Sequence, residues 1–116
     1  MLFLSCKMNH SIETYQFFFG ALANPHRLKI INVLREGKKN VGEICQSTGF
    51  EQTMVSHNLK VLEYHGMVFM EKQGKYRVYS VNKKTIKPLV EFIDRHMEEY
   101  CCKLLGKHCG NEAKEK

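Results

Sequence analysis

Residues 40–82 read NVGEICQSTGFEQTMVSHNLKVLEYHGMVFMEKQGKYRVYSVN, and their apolar period changes once along the stretch. Val41, Ile44 and Cys45 fall on one side of a short helix over residues 41–47, which Asn40 opens. Thr48-Gly49-Phe50 is a tight turn in which Gly49 is free to take a positive φ. A longer helix follows over residues 52–65, carrying Val55, Leu59 and Leu62 inward, and Gly66 ends it. Short helix, Gly-containing turn and longer helix make the helix-turn-helix pattern. The period then drops from 3.6 to 2. Residues 67–72 and 76–81 read as strands, and Gln73-Gly74-Lys75 between them suits a hairpin turn. A helix pair followed at once by a β-hairpin is a winged helix.

Working towards the N-terminus, Asn24 and Pro25 mark a strong helix start, with Asn24 as cap and Pro25 where its missing N–H costs nothing. Leu28, Ile31, Val33 and Leu34 are its expected buried stripe, and Gly37 stops it. Before it, residues 12–22 (IETYQFFFGAL) form a short helix, apolar on several sides and capped by Ser11. Towards the C-terminus, Ile86, Leu89, Val90, Ile93, Met97, Tyr100 and Leu104 trace one amphipathic helix. Pro88 must lie in its first turn, which makes Thr85 a better cap than Asn82, and Gly106 is its expected end. The expected fold is mainly α with a β-hairpin wing, in the order α1-α2-α3-α4-β-β-α5. Its parts are an N-terminal arm (1–10), one winged helix-turn-helix domain with its dimerisation helices (11–105) and a flexible tail (106–116). A long amphipathic helix closing a small domain needs a partner, and a symmetric copy is the simplest one.

A chain of 116 residues is the size of one domain, and 43% apolar residues fit a globular protein rather than a disordered one. No apolar run approaches the ~20 residues that span a membrane. The opening MLFLSCKMNH has no apolar core behind a basic start, so no signal peptide is read and a cytoplasmic location is expected. A formal charge of +6 favours polyanionic partners, nucleic acid first. The five cysteines (Cys6, Cys45, Cys101, Cys102, Cys109) are an odd number in such a chain, which argues against a disulfide framework. No activated nucleophile pair, Ser-His-Asp ordering or Gly-rich phosphate loop points to an enzyme.

The segments ALANPHRLKIINVLREG, NVGEICQSTGFEQTMVSHNLKVLEYHGMV and EKQGKYRVYSVN closely resemble the ArsR/SmtB family of repressors over residues 17–82. The Asn-Pro-x-Arg-Leu helix start and the Val-Ser-His-x-Leu-Lys-Val-Leu run are specific in combination. The resemblance implies a dimer held by the first and last helices, a double-stranded DNA operator as partner and a repressor's function.

In a helix-turn-helix, the N-terminal residues of the second helix meet base edges in the major groove. Here these are Gln52, Thr53, Ser56 and His57. Gln bonds adenine bidentately, Ser and Thr adapt to either partner, and His donates to guanine acceptors. Lys60, one turn further, is placed on phosphate, which positions without specifying. The wing offers Lys72, Gln73, Lys75 and Arg77 to the backbone or the minor groove, although exposed hairpin tips are often charged for other reasons. His26 is read as a surface or packing residue, and Arg27 as reaching either phosphate or a carboxylate.

Members of this family often leave DNA when a metal, metalloid or oxidant alters the dimer. One family site needs Cys-x-Cys at the start of the third helix, where this chain has Asn40-Val41-Gly42. The other needs Asp-x-His at the start of the last helix, where it has Lys83-Lys84-Thr85; only the later half, His96 and Glu99, fits. The remaining group is the sulfur-rich end, Cys101, Cys102, His108 and Cys109, whose thiolates would suit zinc, arsenite, copper(I) or cadmium, or an oxidant. Two other functions stand beside the repressor: a thiol- or metal-handling protein on a winged-helix frame, and a module whose second helix docks on another protein.

Overall fold

The computed structural model describes residues 11–101. The arm over residues 1–10 and the tail, together with Cys102, Leu104, Gly106, His108 and Cys109, lie outside the described residues. The chain forms two compact units, divided between Val81 and Asn82.

The first unit holds α1 (Ile12–Leu22), α2 (Pro25–Leu34), β1 (Lys39–Asn40), α3 (Val41–Thr48), α4 (Gln52–Tyr64), β2 (Val68–Gln73) and β3 (Tyr76–Val81). Side chains set the helix starts, since the first amides of a helix have no partner within it. Ser11 Oγ accepts from the Thr14 amide at 3.2 Å. Asn24 Oδ1 accepts from the amides of His26 (2.9 Å) and Arg27 (3.0 Å), with Pro25 opening α2 as expected. Asn40 and Glu43 form a reciprocal capping box, each side chain bonding the other's amide at 2.9 Å. Gly49, at φ 79°, closes α3 in the left-handed region and lets the chain turn into α4.

The core of this unit is the set of stripes that the sequence periods mark. Ile30, Ile31 and Leu34 of α2, Ile44 of α3, and Val55, Leu59 and Leu62 of α4 are fully buried, with Met67 and Val68 at the root of the hairpin. Burying each such side chain is worth about 1.5–3 kcal/mol. Leu28 departs from its expected place and is 37% exposed, while Ile30 takes a core position instead. The inward face of α2 is therefore rotated towards Ile30, Ile31 and Leu34, against α3 and α4.

The sheet is antiparallel in the order β1-β3-β2. Strand β2 starts at Val68 and runs to Gln73, one residue later at each end than its periodicity suggests. Gln73 pairs with Tyr76, so the loop is only Gly74-Lys75, with Gly74 at φ 64°. Gly in the first of two loop positions suits a type II′ hairpin. Strand β1, not anticipated, pairs Lys39 with Tyr79 and Asn40 with Val78. Two residues are too few to show an alternation.

The second unit contains α5 (Ile86–His96), which buries Ile86 and Val90. Its start corrects the expected cap: Thr85 occupies the cap position without a side-chain bond. Asn82 Oδ1 instead accepts from the amides of Lys84 (3.0 Å) and Thr85 (3.3 Å). Its end departs from α geometry, because Met97–Cys101 continue the helix as a π-helical turn. A π turn adds a residue to the cycle and shifts the angular order of the side chains that follow. Cys101 is half-buried there.

Candidate nucleic-acid interface

Helix α4 presents two polar ridges. Gln52, Ser56 and Lys60 stand four residues apart on one, and Thr53 and His57 on the next. The opposite side of the helix carries Val55, Leu59 and Leu62 into the core, which fixes the rotation of both ridges.

The first ridge forms one wall of an open groove of about 770 Å³. The start of α3 (Asn40, Val41, Gly42 and Cys45) lines another side, and the wing contributes Lys72, Lys75, Tyr76, Arg77 and Tyr79. Six of the nine residues expected on DNA (Gln52, Ser56, Lys60, Lys72, Lys75 and Arg77) are thus brought together around one concavity. Thr53 and His57 are exposed beside it on α4, and Gln73 is exposed at the hairpin end.

Charge in the groove is unbalanced. Lys72 and Arg77 are directly opposed across β2 and β3, so their side chains leave the same face of the hairpin. Like charges in opposed positions destabilise a strand pair. Among the described residues, Lys60, Lys72, Lys75 and Arg77 take part in no ion pair; the three that form are Lys38–Glu71, Lys39–Glu36 and Lys87–Glu91. Lys75 Nζ lies 5.6 Å from the centre of the Tyr76 ring. An anion entering the groove relieves the Lys72–Arg77 repulsion. Tyr79 is buried at the base of the wing, and its phenol is held above its ordinary pKa of 10.0 by desolvation and the negative field of Glu63, against a smaller opposing effect of Arg77.

Six lining residues carry no contact role in the sequence reading: Asn40, Val41, Gly42, Cys45, Tyr76 and Tyr79. Cys45, which shares one side of α3 with Val41 and Ile44, is half-buried at the groove wall. Tyr76 was read only as a strand residue; its place beside the hairpin tip, where apolar burial ends, is the signal that marks it.

The two metal-ligand patterns compared above lack part of their ligands in this chain. Asn40 spends its side chain on the α3 capping box, and Val41 and Gly42 supply no ligand. The His96 ring lies tilted at 39° to the Tyr100 ring with centres 5.1 Å apart. Among the described residues, no group of three or more His, Cys, Asp or Glu side chains is placed to hold a metal ion. Of the sulfur-rich end, only Cys101 lies among them.

These elements define a winged helix-turn-helix DNA-binding protein. Residues 24–68 match the model of the bacterial regulatory protein, arsR family. The transcriptional regulator NmtR of Mycobacterium tuberculosis is 35% identical over 88 residues, which are 76% of this chain and 73% of that protein. The chain belongs to the ArsR family, whose members are DNA-binding transcriptional regulators and not enzymes. A probable mercury resistance operon repressor of Streptomyces lividans is also 35% identical, over 67% of this chain and 62% of its own length. The match covers slightly less than two thirds of several such relatives. Among solved structures, the homodimeric winged helix-turn-helix DNA-binding domain of Mb0332 from Mycobacterium bovis aligns with a TM-score of 0.66 at 29% identity, covering 78% of this chain and 87% of that one. No helix among the described residues is long and apolar enough to cross a membrane.

Proposed function

We propose that this chain is a homodimeric repressor that reads an operator with α4 and grips its backbone with the wing, in the cytoplasm where that DNA lies. The carrying observation is the groove in which Gln52, Ser56 and Lys60 face Lys72, Lys75 and Arg77. Gln52, Thr53, Ser56 and His57 read base edges, and Lys60, Lys72, Gln73, Lys75 and Arg77 hold phosphate or the minor groove. Dimerisation is supported by the apolar side chains left in solvent. Helix α1 exposes Ile12, Tyr15, Phe17 and Phe19, and α5 exposes Phe92 and Ile93 with Tyr100 just beyond it. A second copy covering these faces would bury them, as the homodimeric Mb0332 domain suggests. The arm (1–10), body (11–105) and tail (106–116) remain the proposed division of the chain.

The proposed signal is a soft metal or metalloid (zinc, arsenite, copper(I) or cadmium) or an oxidant, acting at Cys101, Cys102, His108 and Cys109. It is supported by the thiolate chemistry of that end and by the mercury-operon relative. Fluorescence anisotropy of the reduced protein on its own upstream DNA tests both parts. Preference for that DNA over a scrambled duplex supports the repressor, and equal binding to both overturns it. Release by arsenite, zinc or a mild oxidant, abolished when Cys101, Cys102 and Cys109 become Ser, supports the sensor. Binding that ignores every agent removes it.

A further inference from the structure

The groove leaves a second exposed basic group unused. On α2, the His26 ring meets the Phe50 ring at right angles, with centres 5.1 Å apart and planes at 89°. Lys29 Nζ sits 5.7 Å from the centre of the same ring. Phe50 belongs to the helix-turn-helix turn and is well anchored. Its amide donates to Thr48 Oγ1 at 3.1 Å, and that hydroxyl donates to the Ile44 carbonyl at 2.8 Å. One aromatic ring thus holds two exposed donor side chains against the turn that feeds α4.

We propose that His26 and Lys29, seated on Phe50, form a phosphate-binding surface at the N-terminal end of α4, separate from the wing, whose partner is the DNA backbone. This rests on the operator-reading function proposed above. Phe50 and Gln52 are two residues apart, so their Cα atoms lie within about 7 Å. The major groove is about 12 Å wide, which puts phosphates roughly 6 Å to either side of a helix lying at its centre. Donors mounted on Phe50 are therefore within reach of a groove wall when Gln52 reaches the bases. Neither His26 nor Lys29 is in an ion pair among the described residues. The first amides of α2 are already bonded by Asn24, so it is the side chains that are available. Glu51, next to Phe50, makes no cap bond and is the acid that this surface must outweigh.

The test is operator affinity against salt for the full chain, on its upstream DNA and on a scrambled duplex, with Lys29→Gln, His26→Ala and Phe50→Leu. Lys29→Gln should weaken binding to both duplexes alike and make the log–log salt slope shallower by about 0.9, which is about eightfold over one decade of salt. Phe50→Leu leaves the net charge unchanged, so weaker binding in that variant separates the seated surface from a general loss of charge. In the Phe50→Leu background, Lys29→Gln should cost less than it does alone. If the unaltered protein prefers its upstream DNA but Lys29→Gln leaves the slope where it was, the surface is overturned and the function stands. If the unaltered protein shows no preference, the operator-reading function fails, and this surface with it.

Discussion

Arg27 Nη1 donates to Asn58 Oδ1 at 3.0 Å, joining the first turn of α2 to the inward side of α4. The same guanidinium donates through Nε to the Ala21 carbonyl at 2.7 Å, near the end of α1. Asn58 is buried, and its amide nitrogen is used by the Met54 carbonyl at 3.0 Å. One planar fork therefore ties three helices, including the one proposed to enter the groove. Lysine, with its single charged point, cannot reproduce it. Arg27→Ala is expected to cost about 1–3 kcal/mol, because it leaves a buried amide oxygen without its donor. Urea denaturation of Arg27→Ala, Asn58→Ala and the double variant should give losses that do not add, with a coupling of about 0.5–3 kcal/mol. Additive losses would sink the tie.

The groove separates two kinds of contact that should respond differently. Gln52→Ala is expected to lose about 1–3 kcal/mol of discrimination at one base pair while leaving the salt dependence nearly unchanged. Arg77→Ala and Lys72→Ala should weaken operator and scrambled DNA alike, each lowering the salt slope by about 1. Anisotropy titrations on a set of single-base operator variants at two or more salt concentrations read both effects. A loss of base discrimination in Arg77→Ala, with an unchanged slope, would reverse the assigned roles.

Gly49 carries the turn between α3 and α4 at φ 79°, and a Cβ built there meets nothing within 4 Å. The cost of Gly49→Ala is therefore backbone strain alone, about 1–2 kcal/mol. Gly74, at φ 64° and equally open, is the matching case in the wing. Thermal unfolding at fixed protein concentration should show a lower midpoint for each. Only Gly74→Ala should weaken non-specific DNA binding more than its stability loss explains, since it disturbs the pose of Lys72, Lys75 and Arg77. An unchanged midpoint in Gly49→Ala would mean that the turn relaxes to another conformation.

Much of this was legible because helix caps and periods are local. Ser11, Asn24, Asn40 and Gly49 do what their types and positions announce, and Val55, Leu59 and Leu62 are fully buried. The polar face of α4 was legible too, because its rotation follows from the apolar stripe on the other side. What was not legible depends on distant packing or cooperative geometry. Leu28 and Ile30 compete for the inward face of α2, and tertiary contacts choose Ile30. Strand β1 exists only because β3 offers it an edge. The π turn at Met97–Cys101 interrupts a stripe whose apolar spacing predicts no break. The pairing of Arg27 spans 31 positions, so no local pattern could choose Asn58 over a phosphate or a carboxylate.

Tyr79 gives the fold a response to alkaline pH. Its phenol is buried between the groove and the core, where desolvation and then Glu63 favour the neutral form, with Arg77 opposing them. In the unfolded chain the phenol ionises near its ordinary value of 10.0, while in the fold it keeps its proton to higher pH. Between those two points the unfolded state binds fewer protons than the native one, so stability falls as pH rises. The contribution of Tyr79 is fully present below about pH 10 and is lost progressively above it. Tyr79→Phe removes the titrating group while keeping the ring. Its unfolding free energy should therefore decline less steeply than that of the unaltered protein as the pH rises above about 10. Urea melts at matched protein concentration across that range make the comparison, since dimerisation would otherwise enter the apparent stability. Parallel curves for the two proteins would mean that the Tyr79 phenol reaches water in the native state and titrates there as it does in the unfolded chain.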